Sequence, residues 1–572
     1  MRPRITGFLR ALLALGATAC VARDATLPTG AHAIIADGAN LSLAQVRLTQ
    51  GAQDVDGSIP MVANMAAAVN VLITRSRESP AEVPVVLRLY RGGTLVRTDT
   101  AHTVAVLGPS INAASPSAQF LIPAALVTDS LSWQIEIDPA QSVADSTRSD
   151  NLLPAIGSTA VAVVSIPPLA VHFVPLSLSA QGDATGNVSI TNVDDYLTNL
   201  REMLPTGAIT ASVGLPLSVQ ASFGFAPTGG AATFWQPVLQ DLDVARMLSS
   251  DPSGTWYGVA PLPSGFSKVL SGGHAYIPGN AADFSGGTRS AVSLEITPAF
   301  GSNYARELVA HELGHTFGRS HAPGCGAGSP IDDAFPGALG SIGTAGHDVW
   351  SWATGVTARA NSRAATTGDV MSYCSPVWSS PYTWNAVLHW RQASGAASVA
   401  STSRAHVTLV AGSIAADGEV TLRPALEADA VLPAPDATGD VTVELRGADN
   451  AILRSTRVRS SALSESGGAR HFIAILPTAS NAAELLIART VSGGSAMLRR
   501  RTQVDDLSAR ITRSGATEIT SSAGNAILAR DGATGDVIGI GWTGRVTLPA
   551  RAGYSLTVSD GVRSRQREPR FR

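Results

Sequence analysis

From Leu41 to about Pro167, short apolar and β-branched runs (LSLAQVRL, AAVNVLITR, VPVVLRLYR, LSWQIEI, AVAVVSI) alternate with gaps rich in turn residues. Alternation with a period of two, broken by Gly, Pro, Asn and Asp, predicts half-buried strands joined by turns, and at this size an immunoglobulin-like β-sandwich over 24–167. The stretch Asp54-Val55-Asp56-Gly57 has the opening of a calcium loop without its later ligands, which leaves a plain turn.

After Pro167-Pro168 the pattern changes. A strand (LAVHFVPLSL) is followed by a helical segment from Val193 to Leu204, a strand (AITASVGLPL), a helix from Gln236 to Leu248, and two more strand candidates (TWYGVAPLP, SGGHAYIPG). A longer helix begins near Tyr304, where Val309, Leu313 and Phe317 recur at i, i+4 and i+8 and give it one core-facing stripe. Beyond about Ser398 the period of two returns, first in HVTLVAG to AELLIART and then in GDVIGIGW to YSLTVSDG. The expected architecture is multidomain: an α+β unit over 168–396, flanked by the N-terminal sandwich, a second sandwich over 403–502 and a small β domain over 503–567. No regular internal repeat points to a solenoid or propeller.

The length of 572 residues is too great for one core, and 55 Gly with 33 Pro suits turn-rich β structure better than long helices. With 45% hydrophobic residues the chain is not expected to be disordered, and a net charge of −3 gives no electrostatic reason to expect nucleic acid as a partner. At the N-terminus, Arg2, Arg4 and Arg10 precede a short apolar run from Ala11 to Ala19, the pattern of a secretory signal over 1–19. Ala17-Thr18-Ala19-Cys20 resembles a bacterial lipobox, which implies lipidation at Cys20 and a membrane-tethered, outer-membrane or surface location; the alternative is ordinary cleavage after Ala19 and secretion. Setting Cys20 aside leaves Cys325 and Cys374, an even pair in an oxidising compartment, to be read as one disulfide or as two buried thiols.

The chemistry is concentrated in one segment, YARELVAHELGHTFGRSHAPGC, which holds His311-Glu312-Leu313-Gly314-His315, then Gly318 and His321. Two histidines four apart on a helix project from one face a turn apart, so their imidazoles converge on one point. Glu312 lies beside them, placed to reach a water at the metal without being a ligand, and Gly318 allows the bend that brings in His321. Three ligands with a fourth position open is the arrangement of a catalytic zinc, one per chain. A chance match of five fixed positions in a chain this long is on the order of one in ten thousand.

This extended motif resembles that of the metzincin zinc endopeptidases, which also share a downstream methionine-bearing turn. In Gly368-Asp369-Val370-Met371-Ser372-Tyr373-Cys374, Met371 matches that methionine, and Tyr373 matches the position where some members place a tyrosine near the zinc. The resemblance covers roughly 169–395. It implies a peptidase acting on protein or peptide substrates, with His311, His315 and His321 on zinc, Glu312 as general base, and Tyr373 as a resting ligand, an oxyanion donor or a packed side chain. It also implies that SGGHAYIPG is the edge strand along which substrate lies, a plain internal strand being the other reading. His274, His347 and His389 have no spacing that ties them to the helix and are expected as ordinary core or surface histidines. Two other functions stay open: a surface binding or adhesion module with a non-catalytic zinc site, and a zinc hydrolase for another amide.

Overall fold

The computed structural model describes residues 39–571 except 53–56, 78–81, 109–114, 179–183, 221–229, 263–271, 280–288, 300, 397–403, 434–435, 480–481, 503–505 and 550–552. The expected leader and Cys20, and most of Asp54-Val55-Asp56-Gly57, lie outside the described residues.

The first layer pair is built from β1 (Leu41–Thr49), β2 (Ala67–Arg75), β3 (Glu82–Arg91), β4 (Thr94–Val104), β5 (Ala118–Ile122) and β6 (Leu131–Ile137). β1 and β5 flank β2 antiparallel in one sheet, while β4 and β6 flank β3 antiparallel in the other. Val69, Val71 and Ile73 from the first sheet meet Val85, Leu87, Leu89 and Ile135 from the second in one buried core. Alternate residues along each strand face this core.

The elements that follow include, in order, β7 (Leu169–Leu178), α1 (Val193–Tyr196), α2 (Thr198–Met203), β8 (Leu217–Val219) and α3 (Gly230–Leu248), with a strand over Ile209–Val213 pairing parallel with β7 ahead of β8. The segment read as one helix from Val193 to Leu204 is thus two short ones, parted at Leu197, and α3 starts earlier than its expected Gln236. Next come β9 (Thr255–Ala260), β10 (Gly273–Ile277), β11 (Ser290–Leu294) and α4 (Ser302–Thr316), with α5 (Pro381–Ala396) closing the unit. β7, β9 and β11 run parallel, and β10 joins β11 antiparallel. Odd-numbered Val171, Phe173, Tyr257, Val259, Ala275 and Ala291 face the core under α4, whereas Val174, Leu176, Trp256, Tyr276 and Val292 face the core under α3. A sheet covered on both faces explains why these strands read as nearly unbroken apolar runs.

The sheet does not stop at the expected limits of the α+β unit. Beyond α5 lie β12 (Arg404–Ile414), β13 (Ser461–Leu463), β14 (Arg470–Pro477), β15 (Ala526–Asp531), β16 (Val537–Gly541) and β17 (Tyr554–Ser559). β13 adds antiparallel to β10 and leads into β14 and β12, while β16 meets β8 at Ser218↔Gly539 and leads into β15 and β17. Residues from all these parts, among them Val407, Ile475, Leu528 and Ile540, share the core under α3. β10, expected as an edge strand, is therefore paired on both sides; its second neighbour, through Tyr276↔Leu463 and Ile277↔Ala462, is distant in sequence and has no local signature. No helix among the described residues is long and apolar enough to cross a membrane.

Candidate metal centre

α4 lies close against β10 because glycines leave it room. A Cβ on Gly272 would stand 2.5 Å from the Tyr304 hydroxyl, and one on Gly273 would stand 2.6 Å from Glu312 Oε1. The Gly272-Gly273 pair within SGGHAYIPG, the expected substrate strand, is the seat of the helix. At the other end of α4 the chain turns at Gly318, whose φ is +77°, with Gly318 N–H donating to the His315 carbonyl and Arg319 N–H to that of Gly314. This is a glycine-terminated helix end. A side chain at Gly318 would also strike Trp390 of α5 at 2.6 Å. The bend delivers His321, whose backbone is fixed by Pro330 and Asp332.

His311, His315 and His321 come together and are buried, with candidate ligand atoms all within 4.8 Å of one another. Each Nδ1 faces a carbonyl: that of Val370 at 2.8 Å for His311, Arg319 at 2.6 Å for His315 and Gly328 at 2.7 Å for His321. A carbonyl only accepts, so each Nδ1 carries the proton and each Nε2 presents a lone pair. His315 Nε2 lies 3.1 Å from both His311 Nε2 and His321 Nε2. Three converging lone pairs repel unless a cation sits among them, and ligand atoms around a tetrahedral zinc are spaced by roughly 3.3 Å when bonds are about 2.0 Å. Burial holds His311 down to about 4 and His321 to about 3, and His315 well below its usual value, so all three rings are neutral donors at pH 7. The cluster could hold a metal ion.

Glu312 is almost wholly buried, and its Oε2 has no hydrogen-bond partner. Burial, and then the nearby Glu465 carboxylate, push its carboxyl well above the ordinary range. An orphaned carboxylate oxygen beside three neutral imidazoles fits a missing cation and its water.

Met371 is buried beneath α4, and a Cβ on Gly314 would lie 2.4 Å from its Sδ. Its turn is held by Asp369, a buried carboxylate that accepts from Met371 N–H at 2.8 Å, Ser380 N–H at 2.9 Å and the Thr383 hydroxyl at 3.0 Å. Tyr373 is 39% exposed and stands with its ring centre 5.2 Å from that of His321. Cys325 and Cys374 form a disulfide, with Cα atoms 5.2 Å apart, tying the loop after His321 to the methionine turn. His274 and His347 are buried and His389 is exposed, and none of them joins the cluster.

Two residues at the site escape the sequence reading. Asp369 sits inside the quoted methionine segment, where a buried acid two residues before the methionine is the available signal. Glu465 comes from the turn after β13, with Oε1 4.0 Å from His321 Nε2. Only the pairing of β10 with β13 brings it there.

No family model and no curated protein matches the chain. Among solved structures, a CARDB domain in complex with di-metal ions from Pyrococcus furiosus overlaps 22% of this chain and 90% of its own at 14% identity and a TM-score of 0.15. A β-glycosidase from Bacteroides vulgatus overlaps 93% of this chain and 79% of its own at 10% identity and a TM-score of 0.14. At these TM-scores neither overlap bears on fold or function.

Proposed function

We propose that the chain is a zinc-dependent endopeptidase of metzincin type, acting on protein or peptide substrates outside the cytoplasm. The observation that carries this reading is the set of three buried Nε2 lone pairs facing one point beside the orphaned Glu312 carboxylate. Zinc held by His311, His315 and His321 would supply Lewis acidity, lowering the pKa of a water toward neutrality and polarising the scissile carbonyl. Glu312, next to His311 and buried with its Oε2 unpartnered, takes the proton from the attacking water and passes it to the leaving amine. The Tyr373 hydroxyl, held protonated by burial and by the Glu465 carboxylate, donates to the developing oxyanion. No covalent acyl-enzyme is needed.

The test is incubation of the purified mature chain with a mixed-proteome peptide library, with and without a chelator, reading cleavage sites by mass spectrometry. The expected result is chelator-sensitive cleavage that Glu312→Gln abolishes while zinc content stays the same. Cleavage by Glu312→Gln at the wild-type rate would overturn the assignment of the base. As a separate proposal, Cys20 carries a lipid anchor and the enzyme is tethered to a membrane. Cys20→Ser should then move the protein to the soluble fraction or block its processing, and identical partitioning of both forms into the medium would refute the tether.

A further inference from the structure

We propose that Glu465, carried by the second β-sandwich, is a fourth donor to the metal at the histidine cluster, and that the turn bearing it closes the cleft of the folded chain. The functional consequence, a wild-type turnover held below that of the opened cleft, rests on the endopeptidase reading above; the placement of Glu465 does not.

The main-chain groups that an extended substrate would use on β10 are already taken. Tyr276 and Ile277 pair with Leu463 and Ala462 of β13. Just beyond, Ser464 N–H donates to the Ala275 carbonyl at 2.9 Å, and Ala275 N–H donates to the Ser464 hydroxyl oxygen at 3.0 Å. β13 therefore occupies β10 as an added strand would, satisfying the same donors and acceptors.

The turn that follows is braced to hold its shape. The Ser466 hydroxyl reaches the carbonyls of Leu463 and Ala469, each at 3.0 Å, while Gly467 and Gly468 take positive φ. Glu465 itself sits at φ +55°, a conformation that disfavours a side chain bearing Cβ. A strained non-glycine residue at the mouth of a site is a pointer to function.

The Glu465 side chain, 15% exposed, is aimed into the centre. Its Oε1 is 4.0 Å from His321 Nε2, and its carboxylate accepts from Tyr373. The Gly328 loop lies close enough that a Cβ there would stand 3.4 Å from Glu465 Cγ. That 4.0 Å separation is within about 1 Å of the roughly 3.3 Å between ligand atoms around a tetrahedral zinc, which suits Glu465 as a further donor.

The experiment uses the full mature chain as wild type, Glu465→Gln and Glu465→Gly. Glutamine keeps the shape without the charge, and glycine is at home at this φ, so at least one variant keeps the turn; melting curves confirm folding. Zinc affinity is read by competition with a chromophoric chelator, the coordination shell by the visible spectrum of the Co²⁺-loaded protein, and turnover with the peptide library. The expected result is zinc binding weakened by about 10–100-fold, an altered Co²⁺ spectrum, and peptide turnover at least about tenfold above wild type as the cleft opens. Unchanged zinc affinity and an unchanged spectrum in both variants would overturn the ligand assignment. Turnover no higher than that of an active wild type would overturn the closed cleft. Weakened zinc binding with no cleavage in any form would leave Glu465 as a ligand and remove the endopeptidase reading instead.

Discussion

Gly314→Ala tests whether the methionine turn supports the metal-bearing helix by direct packing. The added methyl would stand 2.4 Å from Met371 Sδ, against an ordinary contact of roughly 3.5–4 Å, so α4 or Met371 must move by more than about 1 Å. Met371 is only 1% exposed and has nowhere open to go. Overpacking of this kind costs about 1–3 kcal/mol, while replacing a helical glycine by alanine returns about 1 kcal/mol, so the net loss should be about 1 kcal/mol. Met371→Ala alone empties the site and should cost about 2–5 kcal/mol. In the double variant the clash has no partner, so the pair should be less destabilised than the sum of the singles by about 1–3 kcal/mol. The assay is amide hydrogen exchange of α4 peptides in the metal-free protein, which reads local opening free energies within a chain of several units. Additive effects within about 0.5 kcal/mol would refute direct packing.

Tyr373→Phe should lower kcat by about 10²–10³ if its hydroxyl donates to the oxyanion, with zinc content unchanged; an unaltered kcat would mean that the ring only packs. Replacing Cys325 and Cys374 by serine opens a loop with a sequence separation of 49 and should destabilise by up to about 4 kcal/mol in the chain-entropy model, read by urea unfolding under non-reducing conditions. Equal unfolding midpoints would contradict that loop-closure account. Glu202, which accepts from the Ser351 hydroxyl at 2.8 Å, is pushed up to about 7 by burial and by the Asp348 carboxylate. A folded pKa above the unfolded one means that this group favours the folded state below about pH 4.5 and loses that advantage as pH rises through about 7. The melting temperature of Glu202→Gln should therefore gain on wild type between pH 5 and pH 8, and parallel curves would exclude it.

What the sequence makes legible is what short-range geometry controls. The histidines four apart need only a helix to converge, and Gly318 needs only its own φ of +77° to turn the chain toward His321. With Cys20 set aside, Cys325 and Cys374 admit one pairing, and they are joined. α5 went unrecognised although Ser380 caps it, accepting from Thr383 N–H at 3.1 Å with Pro381 at the first helical position. The break at Leu197 has no glycine or proline to announce it. The two-sided pairing of β10, the sheet running into both C-terminal units and the arrival of Glu465 depend on contacts between residues far apart in sequence, for which apolar alternation carries no register.

If His311, His315 and His321 hold one catalytic zinc, metal content must follow these three residues. Elemental analysis of the purified mature chain should find one zinc per molecule in wild type and in Glu312→Gln, and essentially none in His315→Ala after dialysis against a weak chelator. Equal zinc in wild type and His315→Ala, or no zinc in wild type expressed with zinc present, would contradict the account.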